Sequence, residues 1–147
     1  MMSDPDSVQP APASHTIRLR VRHSDVDILG HVNNAVYLLY AQEAAYRHAE
    51  SAGFSLARMR ELGGAFVVRR HEVEYHRPAR AGDELLVTTR ITHMRGMRAT
   101  RETSIVDAAS GKQVMTASTD YVWVNNNGRP ARIPVEALAK FAIAEDA

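Results

Sequence analysis

Two carboxylates and a glycine, Asp25, Asp27 and Gly30, stand in a short stretch that ends in two asparagines. A carboxylate can attack a carbonyl carbon directly or draw a proton from a water molecule. Backbone N–H groups at the start of a helix lack partners within it, and the helix dipole favours negative charge there. If a helix follows, the stretch therefore offers a base or nucleophile beside a site that stabilises an oxyanion.

The same residues have an ordinary structural explanation. An aspartate in a loop commonly forms an Asx turn, and an asparagine before a helix commonly caps it. Gly30 would allow the close backbone approach that the catalytic arrangement needs. Residue types alone therefore leave catalysis and loop structure both open.

The element that must position these residues is a helix predicted from Asn34 to about Ala52, with Asn33 as its N-cap. The body of this helix, residues 35–41, is apolar on every side, and charged residues appear only in its last turns. A helix that is apolar all round is typical of a helix enclosed by other elements. We therefore expect the rest of the chain to surround it.

Most of the remaining chain has the pattern of β-strands. The first stretch alternates apolar and basic side chains with the period of a half-buried strand, and the later ones are separated by turns at glycines. Predicted strands cover residues 16–22, 66–77, 85–91, 98–106 and 114–124, and short helices are predicted at 56–62 and 134–144. The predicted fold is α+β, an antiparallel sheet of about five strands wrapped around one long central helix.

The length of 147 residues predicts a single domain at 15–147, preceded by a proline-rich, disordered tail at 1–14. A formal charge of +1 gives no overall attraction to nucleic acid or to an anionic membrane. No apolar run approaches a membrane span, and the first residues lack the pattern of a signal peptide. We therefore predict a cytoplasmic protein whose partners include neither nucleic acid nor membrane.

Metal and cofactor chemistry find no support in the residue pattern. The seven histidines lack the spacing of metal ligands, and the chain has no cysteine to join them or to act as a thiol nucleophile. Neither a G-x-S-x-G elbow nor a phosphate-binding glycine loop is present. The prediction is an enzyme without metal, cofactor or serine nucleophile.

The pattern D-x-D-x-x-G-H-V-N-N-A-x-Y at residues 25–37 resembles the signature of the 4-hydroxybenzoyl-CoA thioesterase family and its acyl-CoA thioesterase relatives. Residues 72–85 resemble that family's long strand and turn, residues 128–134 resemble its closing segment, and the whole match spans roughly 16–141. This resemblance implies the hot-dog fold. It also implies a thioesterase that hydrolyses an acyl-CoA thioester to free acid and CoA.

The resemblance assigns roles to individual residues. Asp27 corresponds to the catalytic carboxylate, and the Asn34 backbone N–H to the donor that polarises the thioester carbonyl. Gly30, His31 and Tyr37 fall where substrate binds, although His31 serves equally well to hold the loop. Whether Asp27 acts as nucleophile or as base for water stays open. Both roles require the ionised carboxylate, so we expect activity to fall as Asp27 is protonated in acid.

Basic residues concentrate around the predicted turn at Gly96, namely Arg90, His93, Arg95, Arg98 and Arg101. They form either an ordinary solvated surface or a binding site for the phosphates of CoA, because a guanidinium group can donate two parallel hydrogen bonds to a phosphate. In the family, CoA lies near this hairpin and both subunits of a dimer form each site. The resemblance therefore implies that Arg95 and Arg98 bind CoA in a homodimer or homotetramer with sites at the subunit interface.

Other functions are compatible with the same fold. An acyl-carrier-protein thioesterase and a non-catalytic acyl-thioester-binding protein are the alternatives to acyl-CoA hydrolysis. The binder normally accompanies a DNA-binding segment, for which residues 1–14 are too short and too acidic, and Asp27 also argues against it. Hydratases on this fold use a differently arranged loop. The sequence identifies neither the acyl group nor its carrier.

Overall fold

The computed structural model describes residues 13–143. Five strands and three α-helices follow one another in chain order as β1 (Ser14–Arg20), α1 (Asn34–Ser51), α2 (Leu56–Glu61), β2 (Gly64–Tyr75), β3 (Glu84–Arg95), β4 (Arg98–Asp107), β5 (Gln113–Asn125) and α3 (Val135–Lys140), and a short 3-10 helix (His23–Asp25) lies between β1 and α1. Each predicted helix and strand is present, with ends shifted by a few residues. The predicted tail lies outside the described residues apart from its last two, and β1 already begins at Ser14. The predicted end of the last helix, at residue 144, also lies outside them.

The strands form one antiparallel sheet in the order β1-β3-β4-β5-β2. Consecutive strands β3, β4 and β5 are neighbours, because short turns at Gly96 and Gly111 return the chain beside itself. The residues Leu85, Val87 and Ile91 of β3 are buried on one face of the sheet, as their alternation in the sequence predicts. Strands β1 and β2 lie at the two edges.

Helix α1 begins at Asn34 because Asn33 caps it, its side-chain Oδ1 accepting a hydrogen bond from Ala35 N at 3.0 Å. The helix packs against the inner face of the sheet through residues spaced three or four apart, Tyr37, Tyr40, Ala41, Ala44, Ala45, His48 and Ala49. The predicted cap and helix start are confirmed, and so is the fold class with its central helix.

The expectation that α1 is enclosed on all sides is wrong for a single chain. Leu39 and Tyr46 are 60% and 51% exposed, so an apolar stripe along the helix is left uncovered by the sheet. The reason is geometric, because one five-stranded sheet contacts only one face of the helix. No helix within residues 13–143 is long and apolar enough to cross a membrane.

Two separate groups of apolar residues form the core. The first packs the N-terminal half of α1 against β1, β3, β4 and β5 and includes Tyr37, Val87 and Ile105. The second surrounds Phe54 and Trp123 near the other end of the helix. Burying a large apolar side chain of this kind stabilises the fold by about 1.5–3 kcal/mol. Together they fix α1, and thereby its N-terminus, on the sheet.

Candidate active site

The loop before α1 is a small hairpin, in which Val26 and Val32 pair as an isolated antiparallel bridge. Its turn is closed by Asp27 N donating to His31 O at 2.8 Å and Gly30 N donating to Asp27 O at 2.9 Å. Gly30 has a φ of +76°, which a side chain disfavours. A Cβ atom there would meet nothing within 4 Å in this chain. Backbone conformation therefore accounts for the glycine within this chain, and the expected close approach of a substrate to Gly30 stays a prediction.

The Asp27 side chain is exposed and held by one of its two oxygens. Oδ1 accepts hydrogen bonds from Leu29 N at 2.9 Å and from His31 N at 3.3 Å. Oδ2 has no hydrogen-bond partner within the described residues. The Asx turn thus fixes the direction of the carboxylate and leaves its second oxygen for a water molecule or a substrate.

The other aspartate of the motif attaches the loop to α1. Asp25 Oδ2 accepts from the Tyr40 hydroxyl at 2.7 Å and from Arg22 N at 3.3 Å, and its carbonyl accepts from Asn33 N at 2.9 Å. The pKa of Tyr40 is raised, first by burial and then by this hydrogen bond to Asp25. Through these contacts Asp25 holds the loop against α1.

The first turn of α1 leaves the N–H group of Asn34 without an acceptor in the described part of the chain. Asn33 Oδ1 accepts from Ala35 N, and Asn33 O accepts from Val36 N at 2.9 Å. Among the residues that the structure describes, nothing accepts from the N–H of Asn34. This donor lies at the positive end of the helix dipole, where a developing negative charge is stabilised.

Two tyrosines fix the helix start against the rest of the fold. The Tyr75 hydroxyl on β2 donates to Asn34 O at 2.9 Å, a contact over 41 residues that no local sequence signal marks. The Tyr37 hydroxyl accepts from Ala79 N at 3.1 Å, and the residue is only 3% exposed. Tyr37 therefore positions the segment after β2, and its hydroxyl does not open freely on a substrate pocket.

His31 contributes to the site mainly through its backbone. Besides the two bonds with Asp27, it forms an isolated bridge with Arg80. The side chain of Arg80 is exposed beside the loop, and the sequence predicted no role for this residue. The bridge joins the loop to the segment that leads into β3.

Arg95 and Arg98 are exposed at the β3–β4 turn, but they lie far from the Asp27 loop in the same chain. The loop sits beside the start of β3, where Val21 N donates to Asp83 O. The length of β3 separates the two places by roughly 35 Å. Arg101, which the sequence places among the same basic residues, is instead 7% exposed on the inner face of the sheet. It cannot belong to a solvated basic surface.

A groove of about 450 Å³ runs between the exposed side of α1 and the inner face of the sheet. It begins at Leu38, one helical turn after Asn34, and its walls are mainly apolar, with Met59, Phe66 and Ile91 among them. Grooves of this size with mostly apolar walls are typical of small-molecule sites. Within residues 13–143, no group of three or more potential ligands is arranged to hold a metal ion.

Comparison with known proteins agrees with this geometry. A family model described as the thioesterase-like superfamily matches residues 21–141. The acyl-CoA thioester hydrolase YbgC of Escherichia coli O157:H7 is 31% identical over 131 residues, which are 86% of this chain and 91% of YbgC. The chloroplastic acyl-acyl carrier protein thioesterase ATL2 of Arabidopsis thaliana is 31% identical over 127 residues, 86% of this chain and 68% of that protein.

Solved structures have the same architecture. A probable thioesterase from Bartonella henselae superimposes with a TM-score of 0.77 and 30% identity over 83% of this chain and 100% of that one. The 1,4-dihydroxy-2-naphthoyl-CoA thioesterase Slr0204 from Synechocystis gives 0.79 and 24% identity over 85% and 93% of the two chains, a likeness of fold. The chain therefore belongs to the thioesterase-like superfamily, as a thioester hydrolase built on the hot-dog fold.

Proposed function

We propose that this enzyme hydrolyses an acyl-CoA thioester to a free acid and CoA, with Asp27 as the catalytic carboxylate and the Asn34 N–H as the donor to the carbonyl. The observation that carries this proposal is their joint placement on one loop and helix start. One oxygen of Asp27 is fixed, while its other oxygen and the N–H of Asn34 both have no partner in the described chain. Both groups are thus prepared for a substrate.

Two chemical routes use these groups. In the first, Asp27 takes a proton from water, the oxygen adds to the thioester carbon, and the C–S bond breaks with the thiolate receiving a proton. In the second, Asp27 attacks the carbonyl and expels the thiolate, and water then hydrolyses the mixed anhydride. Each consumes one water and restores the ionised Asp27. The Asn34 N–H stabilises the oxyanion in both.

The carrier of the acyl group has two candidates. CoA is supported by the 31% identity to YbgC, and acyl carrier protein by the equal 31% identity to ATL2. The identities therefore do not choose between them. We expect kcat/KM for one acyl group to be higher when it is attached to CoA than when it is attached to acyl carrier protein. A higher value for the carrier protein would favour the second candidate.

We further propose that the enzyme is a homodimer or homotetramer with each site at a subunit interface. Within residues 13–143 the outer edge of β2 pairs with no strand over its 12 residues, and Val67 and Val68 on β2 are each 46% exposed. An edge of this length favours pairing with another strand. Arg95 and Arg98 lie too far from Asp27 of their own chain to contact one CoA there, so they contribute to CoA binding only from another subunit.

The decisive test is Asp27→Asn, which keeps the size of the side chain and removes its charge. We expect a loss in kcat of at least about 100-fold, because neither a base nor a nucleophile remains. Thiol release would be measured with acyl-CoAs of graded length and with benzoyl-CoA and phenylacetyl-CoA.

Asp120→Asn is the matched control, because Asp120 lies on β5 and accepts a hydrogen bond from Thr100 on the neighbouring strand β4. This variant should retain the activity of the parent, and circular dichroism should show that both variants are folded. Turnover near normal in Asp27→Asn would remove Asp27 from the reaction.

A further inference from the structure

A band of polar side chains crosses the inner face of the sheet, where an apolar surface would be expected. Its members are Thr89 on β3, Arg101 and Thr103 on β4, Thr119 on β5 and His71 on β2. Strand register aligns them, since Thr89 pairs with Thr103, and Thr119 pairs with both Arg101 and His71. This polar band lies between the two apolar groups of the core.

Arg101 is the charged member of the polar band, and its partners are neutral. Its Nη1 donates to Thr89 Oγ1 and to His48 Nδ1, each at 2.9 Å, and it also interacts with the Tyr121 hydroxyl. Accepting at Nδ1 requires that the His48 ring be neutral, with its proton on Nε2. The guanidinium, by contrast, stays protonated inside proteins.

No carboxylate within residues 13–143 forms an ion pair with Arg101. The neighbouring Glu102 points to the outer face of the sheet and pairs there with Arg90 at 3.2 Å. Burial is the main reason that the pKa of Arg101 is lowered. A buried cation without a counterion is costly, and charges of this kind in proteins are normally paired.

The polar band opens onto the groove along α1. Arg101, Thr103, Thr119 and Tyr121 all line it, opposite walls that are otherwise mostly apolar. A few converging polar groups in an apolar groove are typical of a site that fixes the orientation of a ligand. A ligand that enters from the Asn34 end therefore meets apolar walls first and the polar band beyond them.

Two independent distances locate the polar band relative to the proposed reaction centre. His48 follows Asn34 by 14 residues, about 21 Å along the helix, and its side chain tilts back toward the helix N-terminus by about 3 Å, leaving roughly 18 Å. The Tyr75 hydroxyl contacts Asn34, and His71 precedes Tyr75 by four residues, roughly 13 Å along β2. At roughly 1.25 Å per carbon, an extended chain of about ten to fourteen carbons spans this range of distances.

We propose that Arg101 recognises a carboxylate at the far end of the acyl chain, so that the preferred substrates are thioesters of dicarboxylic acids of about this length. The assignment rests on the proposed hydrolysis at Asp27 and names its substrate class. The distal carboxylate supplies the counterion that no residue within 13–143 provides to Arg101, through charge-assisted hydrogen bonds to the guanidinium. Thr103 and Thr119 border the same position.

The kinetic test compares two acyl-CoAs of equal length, dodecanoyl-CoA and the mono-CoA thioester of dodecanedioic acid. We expect kcat/KM to favour the carboxylate-ended chain by about 10- to 100-fold, the range for a hydrogen bond to a charged group. The corresponding six-carbon pair should show little preference, because the shorter chain does not reach Arg101. Preference for dodecanoyl-CoA, or for 12-hydroxydodecanoyl-CoA over the carboxylate-ended chain, would overturn the proposal.

Substitution of Arg101 tests whether this residue causes the preference for the carboxylate-ended chain. Arg101→Met should lower the ratio of the two kcat/KM values to about one, and Arg101→Lys should preserve part of it. Arg90→Met is the matched control, because it removes an arginine from the outer face of the adjacent strand and should leave the ratio unchanged. An equal loss for both substrates in Arg101→Met would show that Arg101 is purely structural.

A binding measurement distinguishes failure of the proposed hydrolysis from failure of the proposed recognition by Arg101, which kinetics alone cannot do. Dodecanedioic acid should raise the Tm of the unsubstituted enzyme more than dodecanoic acid does, which needs neither a folded Arg101 variant nor turnover. Equal shifts, or a larger shift with dodecanoic acid, would refute recognition by Arg101. If no acyl-CoA releases thiol while dodecanedioic acid still gives the larger shift, the hydrolytic function fails and the recognition site stands.

Discussion

At the scale of single residues, Asp27 shows that a structural and a catalytic explanation of one side chain need not compete. Oδ1 forms the Asx turn with Leu29 and His31 and sets the direction of the carboxylate. Oδ2 is left without a partner in the described chain. The turn therefore supplies the preorganised orientation that the proposed reaction requires.

The Asn34 N–H can be removed without altering the helix around it. Asn34→Pro deletes this donor at the first helical position, where proline is well tolerated, and Asn33 already has the extended conformation (φ −59°, ψ 138°) that precedes proline. We expect kcat to fall by about 10²–10³-fold, as for the loss of an oxyanion donor. Thiol-release kinetics would measure the effect.

Asn34→Ala is the control for this substitution, since it removes the side chain and keeps the N–H group. It should retain most of the activity. Similar losses in the two variants would assign the effect to the side chain, and full activity of Asn34→Pro would exclude the N–H from the reaction.

At the scale of secondary-structure elements, the short helices depend on contacts with each other. Arg58 on α2 binds Glu136 on α3 through two hydrogen bonds, Nε to Oε2 at 2.8 Å and Nη2 to Oε1 at 2.7 Å. Helices of six residues are too short to be stable alone, so a bond between them matters more than their intrinsic propensity. This pair holds the C-terminal helix near the second apolar group of the core.

The Arg58–Glu136 pair predicts a pH-dependent stability. Hydrogen bonds from Arg58 lower the pKa of Glu136, so its contribution is complete above the ordinary value of 4.5 and is lost as the pH falls through the lower, folded value. Glu136→Gln should lower the Tm by a few degrees at pH 7, and this difference should shrink below pH 4.5. Thermal unfolding at several pH values would measure it.

Glu61→Gln is the matched control for the pair, because Glu61 binds the same arginine at 2.6 Å but within one helix. It should lower the Tm less than Glu136→Gln does. A difference between Glu136→Gln and the parent that stays constant from pH 7 to acid would contradict the assigned pKa effect.

At the scale of the whole molecule, one chain leaves two apolar surfaces open. The exposed side of α1 carries Leu39 and Tyr46, and the edge strand β2 carries Val67 and Val68. The groove lies between α1 and the sheet and is open to the surface. A second subunit on these surfaces would both bury them and complete the binding site, as the proposed oligomer requires.

The proposed oligomer predicts the effect of charge on β2. Val67→Glu combined with Val68→Glu should convert an assembly of several chains into a monomer of 16.3 kDa, because charge on an edge strand opposes pairing. Light scattering after size-exclusion chromatography would measure the molar mass. Val135→Glu, at a valine that is 80% exposed on α3, should leave the mass of the assembly unchanged. A parent enzyme that is itself monomeric would contradict the proposal.

The sequence by itself determined the local features of this protein. Alternation identified the buried face of β3, Asn33 marked the start of α1, and the motif at residues 25–37 indicated the fold, while the role that it gives Asp27 stays a prediction. These features depend on neighbours within a few residues, and on a family signature that is contiguous in the chain.

Only the tertiary structure decided which distant residues meet. It buried Arg101 against His48 and placed the Tyr75 hydroxyl on Asn34. It also showed that Arg95 and Arg98 lie at the turn after β3, far from the Asp27 loop at the start of that strand. Whether an arginine on a strand points into the core or into water depends on strand register and on the element packed above it. Neither is encoded by the identity of the residue or its immediate neighbours.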